Sequence, residues 1–406
     1  MFTLLRSALC CTAVALLAAC GGGGGDTTPP DTGTLPETAC GAARPQTVSI
    51  RTAGGRDILS TEDYVDAEVW IDGRKLDTRI RGRGNSTWTM PKKPYRLKLD
   101  ESTPLYGMPA EKDWALLANY SDKTMLRNEV AFCVARLLEM EYVPRSRYVE
   151  LELNGEYQGL YQLTEHVETG EDRVDIGAED EASPGFLVEW DTRYASEDLW
   201  FKTTRGSPYV VKSDATGPQT EAIRDFMNAF EDALYAHSPA SFERADVASM
   251  ASFYLVNELM RNTDAFNSST FMYRRDDGPL RFGPVWDFDI AAGNVDFNDD
   301  WKTEGFSMRH RVYMNHAFQT PGFDTEVRRQ WSRLYARADA LQFHVDVTVK
   351  ALQEAQQRNF QRWPLLGSYV WPNHVVYDTY DEEVRYLKNW LTRRMRWLDS
   401  QYGSTP

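Results

Sequence analysis

Between residues 47 and 120 apolar and polar positions alternate in short runs bounded by Gly, Asp and Pro: VSIRT, DAEVWIDG, TRIRGRG, YRLKLD and WALLANY. Alternation sends successive side chains to opposite faces, so these runs predict an antiparallel sheet with one face turned to a core. At 122–139 the period lengthens to that of a helix, with Met125, Val130, Val134, Leu137 and Leu138 as apolar positions and Asp122 as its N-cap. Two further strands, YVELELNG and YQGLYQLTE, meet at Asn154-Gly155, a dipeptide that accepts the positive φ of a tight hairpin. GFLVEWD, LWFKTT and YVVKS then either continue the sheet or form an insertion.

The rest is helical in pattern. TEAIRDFMNAFEDALYAH, DVASMASFYLVNELMR, EVRRQWSRLYARADAL, VTVKALQEAQQ and DEEVRYLKNWLTRRMRWLDSQYG carry apolar residues at helical spacing, the last stopping at Gly403. The pattern predicts an α+β protein with a sheet-rich first lobe, 43–168, and a mainly helical second lobe, 169–403. Within the second lobe, 257–293 departs from the rule. An apolar helix ends, a polar loop carries Asp264, a hairpin turns at Asp276-Asp277-Gly278, and Trp286-Asp287-Phe288-Asp289 follows. A hairpin is a rigid spacer, so Asp264 and Asp287 can return to one place, where paired carboxylates suit a metal-bound phosphate.

Composition bears on the ends and the compartment. Arg6 followed by an apolar run at 8–19 is too short to span a bilayer and reads as a signal peptide, 1–19. Leu17-Ala18-Ala19-Cys20 resembles a bacterial lipobox, which makes Cys20 the expected lipidation site. Residues 20–42, rich in Gly, Thr and Pro, cannot bury a core and read as a tether. The expected location is therefore the cell envelope as an exported lipoprotein, at the outer membrane if the cell has one. A formal charge of −15 disfavours nucleic acid as a partner. Of the five cysteines, Cys40 and Cys133 remain in the folded part, either as one disulfide or as free thiols.

The first lobe offers three polar features. Arg83, Asn85 and Ser86 lie in the glycine-containing loop RGRGNSTW, whose donors can meet an anion. Lys98 lies in YRLKLD on the face shared with Arg96, opposite Leu97 and Leu99. Glu129 lies on the following helix and Glu165 closes the strand YQLTE. The six histidines show no metal-binding spacing, and no GxSxG elbow occurs.

RGRGNSTW, KKPYRLKLD, DWALLANYSDKTMLRN, YVELELNGEYQGLYQLTEHVE and GPVWDFDIAAGN together resemble the CotH family, the spore-coat-protein-H-like atypical protein kinases, over roughly positions 45 to 400. The resemblance implies a two-lobed kinase-like fold. It implies that Lys98 binds phosphates of ATP and pairs with Glu129, that Arg83, Asn85 and Ser86 form the phosphate loop, and that Glu165 reaches the ribose. Asp264 becomes the residue that orients or deprotonates the acceptor; Asp287 and Asp289 become ligands of Mg²⁺ or Mn²⁺. Where kinases carry a second metal-binding Asn this chain has Ser269, with Asn267 two positions earlier, so either Asn267 takes over or one metal site is weakened.

The implied activity is transfer of the ATP γ-phosphoryl group to Ser or Thr of an unidentified protein, or of the chain itself. Two alternatives follow from the same residues. Ser269 and an exported location without an evident ATP supply fit a cell-surface binding protein that keeps the fold without catalysis. Asp287-Phe288-Asp289 also matches the DxD of metal-dependent sugar-nucleotide transferases, although the parallel βα order expected around it is missing.

Overall fold

The computed structural model describes residues 38–177 and 185–403. The signal peptide, Cys20 and most of the tether lie outside them. Seven strands form the first half: β1 (Gln46–Thr52), β2 (Val65–Ile71), β3 (Arg74–Gly82), β4 (Tyr95–Leu105), β5 (Met108–Leu117), β6 (Ser146–Leu153) and β7 (Glu156–Glu165). They do not make the open kinase-like sheet expected from the sequence. The order β1-β2-β3-β4-β5-β7-β6 closes into a barrel, because β1 pairs antiparallel with β2 on one side and parallel with β6 on the other. Closure removes both sheet edges, which otherwise expose unpaired backbone groups.

The alternation read from the sequence fills this barrel. Ile50, Val69, Ile80, Leu97, Trp114, Leu151 and Leu163 are fully buried inside it. Asn154 and Gly155 turn the β6–β7 hairpin at φ 53° and 83°. On the outside of the wall Arg81 sits opposite Arg96, and Lys98 opposite Asp113.

A short helix, α1 (Ser86–Thr89), follows β3, and α2 (Arg127–Leu137) lies between β5 and β6 in the chain. The helix begins later than the apolar spacing predicts, because Asp122 does not cap it. Its carboxylate instead folds back a turn, accepting from Thr124 N at 3.0 Å and Arg127 N at 2.9 Å and pairing with the buried Arg127 guanidinium. Cys133 on α2 is joined to Cys40 by a disulfide.

The second core gathers α2, a five-stranded sheet and the later helices. The strands β8 (Phe186–Trp190), β9 (Trp200–Lys202), β10 (Pro208–Val211), β11 (Thr270–Arg274) and β12 (Arg281–Phe282) run in the order β12-β11-β8-β10-β9. GFLVEWD, LWFKTT and YVVKS thus belong to a second sheet, completed by the 270–282 hairpin. The helices are α3 (Gly217–Tyr235), α4 (Ser241–Arg244), α5 (Val247–Met260), α6 (Val312–Ala317), α7 (Phe323–Tyr335), α8 (Ala338–Arg362) and α9 (Tyr380–Tyr402). The spacing at 326–341 predicts one helix, but the chain breaks between α7 and α8 at Ala336 and Arg337. Among the described residues no helix is long and apolar enough to cross a membrane.

The helix α5 is the post on which the acidic stretch stands. Asp246 caps it, accepting from Ser249 N at 2.8 Å, and its residues from Met250 to Met260 are buried. Its buried Glu258 is paired with the buried Arg394 of α9 and accepts from Ser307 N and Arg309 N at 2.8 and 2.9 Å. Such a charge persists in a core only with partners of this kind.

Candidate active site

At the end of α5 Arg261 adopts φ 46°, and the chain turns into the loop carrying Asp264. The loop is held from within and from outside. The Asn262 side chain accepts from Asp264 N at 3.2 Å, and the Asp264 carbonyl accepts from Asn267 N at 2.8 Å. Arg311 donates through Nη1 to the carbonyls of Asn262, Thr263 and Ala265 at 3.1, 2.9 and 3.2 Å. A single guanidinium therefore fixes three backbone carbonyls flanking Asp264.

The β11–β12 hairpin brings the chain back. Asp287 stands at φ 67°, its orientation set by the next amide, Phe288 N, which donates to Asn128 Oδ1 at 2.8 Å. Ser269 Oγ lies 3.4 Å from Asp287 Oδ2 as its donor. Asp289 is buried and accepts from Ser121 Oγ at 3.3 Å. Arg127 Nε donates to the Ala291 carbonyl at 2.9 Å, so the salt bridge that starts α2 also holds the end of this segment.

The three aspartates feel one another. Burial first, then the charge of Asp287, pushes the Asp264 carboxyl up to about 6, opposed by a hydrogen bond from the Asn267 side chain and by Arg193 and Arg311. Burial, then Asp287 and Asp264, holds Asp289 well above the usual carboxylate range. Like charges gathered in a partly dry place favour proton uptake or a cation between them.

Positive groups face them. Arg83 stacks its guanidinium 5.5 Å from the centre of the Trp286 ring. Burial pulls its pKa down, the charge of Asp287 works against that, and Arg96 adds to it, so the three groups share one field. His166 is held well below its ordinary value by burial and then by Arg96, Arg83 and Lys212, and its buried Nδ1 has no hydrogen-bond partner. Lys212 lies 3.0 Å from Glu189, whose other oxygen accepts from Ser269 N at 2.9 Å. An arrangement of cations with an orphaned imidazole nitrogen opposite carboxylates suits an anionic ligand carried with a hard cation.

The glycine loop is built for close approach. A Cβ on Gly82 would lie 2.5 Å from the Trp88 ring, and one on Gly84, at φ 82°, 2.1 Å from Thr87 Oγ1. With its amide oxygen turned outward, Asn85 accepts from both terminal nitrogens of Arg193 at 2.8 Å, tying this loop to the chain beyond β8. Ser86 is exposed at the start of α1.

Four expected members are elsewhere engaged. Lys98 is 3.8 Å from Asp113 on the neighbouring strand, and no Lys98–Glu129 pair forms. Glu129 is instead buried with His344 at 3.1 Å, Ser146 at 2.9 Å and Arg136 at 3.5 Å. Glu165 is fully buried and used up by Tyr142 Oη at 3.1 Å, Arg145 N at 2.9 Å, Arg145 Nη1 at 2.7 Å and Arg173. It has no oxygen left for a ribose. Asn267 is turned toward Asp264 and Thr192, whose hydroxyl lies 3.2 Å from Asn267 Oδ1. Ser269, not Asn267, is therefore the side chain beside Asp287.

The donor set can be tested for a metal. Among the described residues one triple of Cys, His, Asp or Glu has its ligand atoms all within 4.8 Å, Cys40, Cys133 and His344, and its two sulfurs are spent in the disulfide. The aspartates thus form an open oxygen set rather than a closed cage. Mg²⁺ accepts such a set, since it prefers oxygen and keeps waters or phosphate oxygens as further ligands.

Fold and site together define a protein with a barrel core and a helical core, whose acidic loop and acidic hairpin end face a cationic wall. The family model described as CotH kinase protein matches residues 80–398, and the chain belongs to that family. No curated protein matches it.

Proposed function

We propose that this chain is an exported phosphotransferase that moves the γ-phosphoryl group of ATP to Ser or Thr of a protein, or of itself. The observation that carries this is the gathering of Asp264, from the loop after α5, with Asp287 and Asp289, from the single segment after β12, opposite Arg83, Arg96, His166 and Lys212. Asp264 orients the acceptor hydroxyl and receives its proton; a carboxyl pushed up to about 6 is suited to that exchange near neutral pH. Arg83 holds the phosphates, the part expected of Lys98, with Arg96, itself paired with Asp113 at 2.7 Å, and Lys212, paired with Glu189, adding to the positive field. Asp287 and Asp289, with the Ser269 hydroxyl beside Asp287, would hold Mg²⁺ or Mn²⁺, which when bound neutralises charge on the transferred group.

Residues 17–20 support anchorage through Cys20, and the Cys40–Cys133 disulfide is in keeping with an oxidising compartment. Calorimetry with ATP and Mg²⁺ tests the site. Asp287→Ala is expected to abolish metal-dependent nucleotide binding. Asp264→Ala is expected to keep that binding while transfer falls by roughly two orders of magnitude or more. Unchanged ATP binding and autophosphorylation in Asp287→Ala would remove the assignment.

A further inference from the structure

The helix α9 buries Leu387, Trp390, Leu391 and Leu398 on one side. Its other side lines a groove of about 720 Å³ in which Arg385, Asn389, Arg393 and Arg396 stand in line, with Tyr377 and Tyr386 alongside and one carboxylate, Glu382, at the end where it accepts from Thr379 Oγ1 at 2.7 Å. Residues spaced by four, eight and eleven share a helical face, so the stripe is continuous. Exposed Arg51, Arg56, Arg79 and Arg244 also lack a carboxylate partner among the described residues; the arginines of this stripe differ in lining one groove together. Arg224, Arg328, Arg329, Arg333 and Arg358 each have a carboxylate partner. Arg385, Arg393 and Arg396 pair with none of the described residues. Three unpaired guanidiniums in one groove of a chain with net charge −15 are not explained by the folding of the chain.

We propose that this groove binds an acidic peptide segment of a partner protein. Arg385 and Arg396 are separated by roughly 16 Å of helix rise, too far for one phosphate group to touch both. An extended chain covers that length in about five residues, so side-chain carboxylates along it can meet all three forks in turn. Guanidinium recognises carboxylate through paired, parallel hydrogen bonds, and Asn389 adds amide groups able to meet the peptide backbone. The hollow is concave, which fits a strand of peptide better than a flat bilayer. The groove also has a structural link to the acidic segment: Tyr386, part of its wall, donates from Oη to the Gly293 carbonyl at 3.1 Å. This proposal does not depend on phosphotransfer.

Fluorescence anisotropy on the full chain, with a labelled ten-residue peptide alternating Glu and Gly, tests it. Saturable binding is expected, with affinity falling roughly ten-fold or more in the Arg385→Ala/Arg393→Ala/Arg396→Ala variant. Arg224→Ala/Arg328→Ala/Arg329→Ala, which removes the same charge elsewhere, is expected to bind as the parent does. The proposal is overturned by absent binding, by equal loss in both variants, or by equal affinity for a Gln–Gly peptide. It is equally overturned if inorganic phosphate competes as well as the peptide does per charge, or if only vesicles of phosphatidylglycerol are bound.

Discussion

Ser269 occupies a position whose backbone and surroundings would accept another residue. Its φ of 55° lies in the left-handed region, where Asn is more at ease than Ser, and its hydroxyl already lies 3.4 Å from Asp287. Under the proposed function, Ser269→Asn is expected to leave the melting temperature unchanged or raised. It should also lower the Mg²⁺ concentration needed for half-maximal ATP binding, read by calorimetry across a metal titration. Glu168 allows a second test that does not depend on function. Burial, then Asp113 and Glu111, pushes its carboxyl from 4.5 up to about 8, although Arg173 lies 3.7 Å away; Arg173 is committed to Glu165. The folded state thus holds this proton more tightly than the unfolded chain does. The stability it lends is complete below pH 4.5 and is lost as the pH rises through about 8. Glu168→Gln should flatten that decline, with a melting temperature at pH 8 above the parent by roughly 2–4 °C per kcal/mol relieved. Asp264, Asp287 and Asp289 were legible as a group in the sequence because a hairpin between them is written in local turn chemistry. The cationic wall was legible only in part. Arg83 stands in the glycine loop, but strand alternation puts Lys98 and Arg96 on one face without saying what that face meets, and the phosphate role of Lys98 rests on the resemblance alone. His166, Lys212 and Arg311 carried no signal, since their roles come from contacts made across distant segments of chain.

Elements show the same division between local and distant causes. The spacing of apolar residues places α5 and α9 within a residue or two, because each buries a continuous stripe. It misplaces the start of α2, because Asp122 prefers two local amides and a guanidinium to a capping role. That choice matters beyond the helix. Arg127 pairs with Asp122 and also donates to the Ala291 and Ala292 carbonyls, so one buried charge supports both α2 and the segment after Asp289. Asp122→Ala would leave that guanidinium buried without its counter-charge, a loss of about 3–5 kcal/mol. Thermal denaturation should show the drop. Asp122→Asn, which keeps an acceptor, is expected to lose less. Glu165 fails as a ribose contact for a related reason: the end of a strand in sequence says nothing of the two arginines and the tyrosine that close over it.

At the scale of the molecule the two cores do not follow the two periodicities, since the second gathers α2 from the first half and a five-stranded sheet together with the later helices. Barrel closure is a further part the sequence does not show, since the parallel contact of β1 with β6 joins strands some hundred residues apart and has no turn to announce it. The disulfide ties the segment before β1 to α2 rather than to a barrel strand. A pull on the amino end reaches Cys40 before β1, and the covalent bond passes it to Cys133 in α2. Load then spreads into the second core, while β1 stays clamped between β2, paired over Ser49–Thr52, and β6, paired over Gln46–Ile50. Force entering at the amino end would in this way arrive at α2, whose Asn128 and Arg127 hold Phe288 and Ala291, so the covalent link makes the acidic segment responsive to tension on the front of the chain.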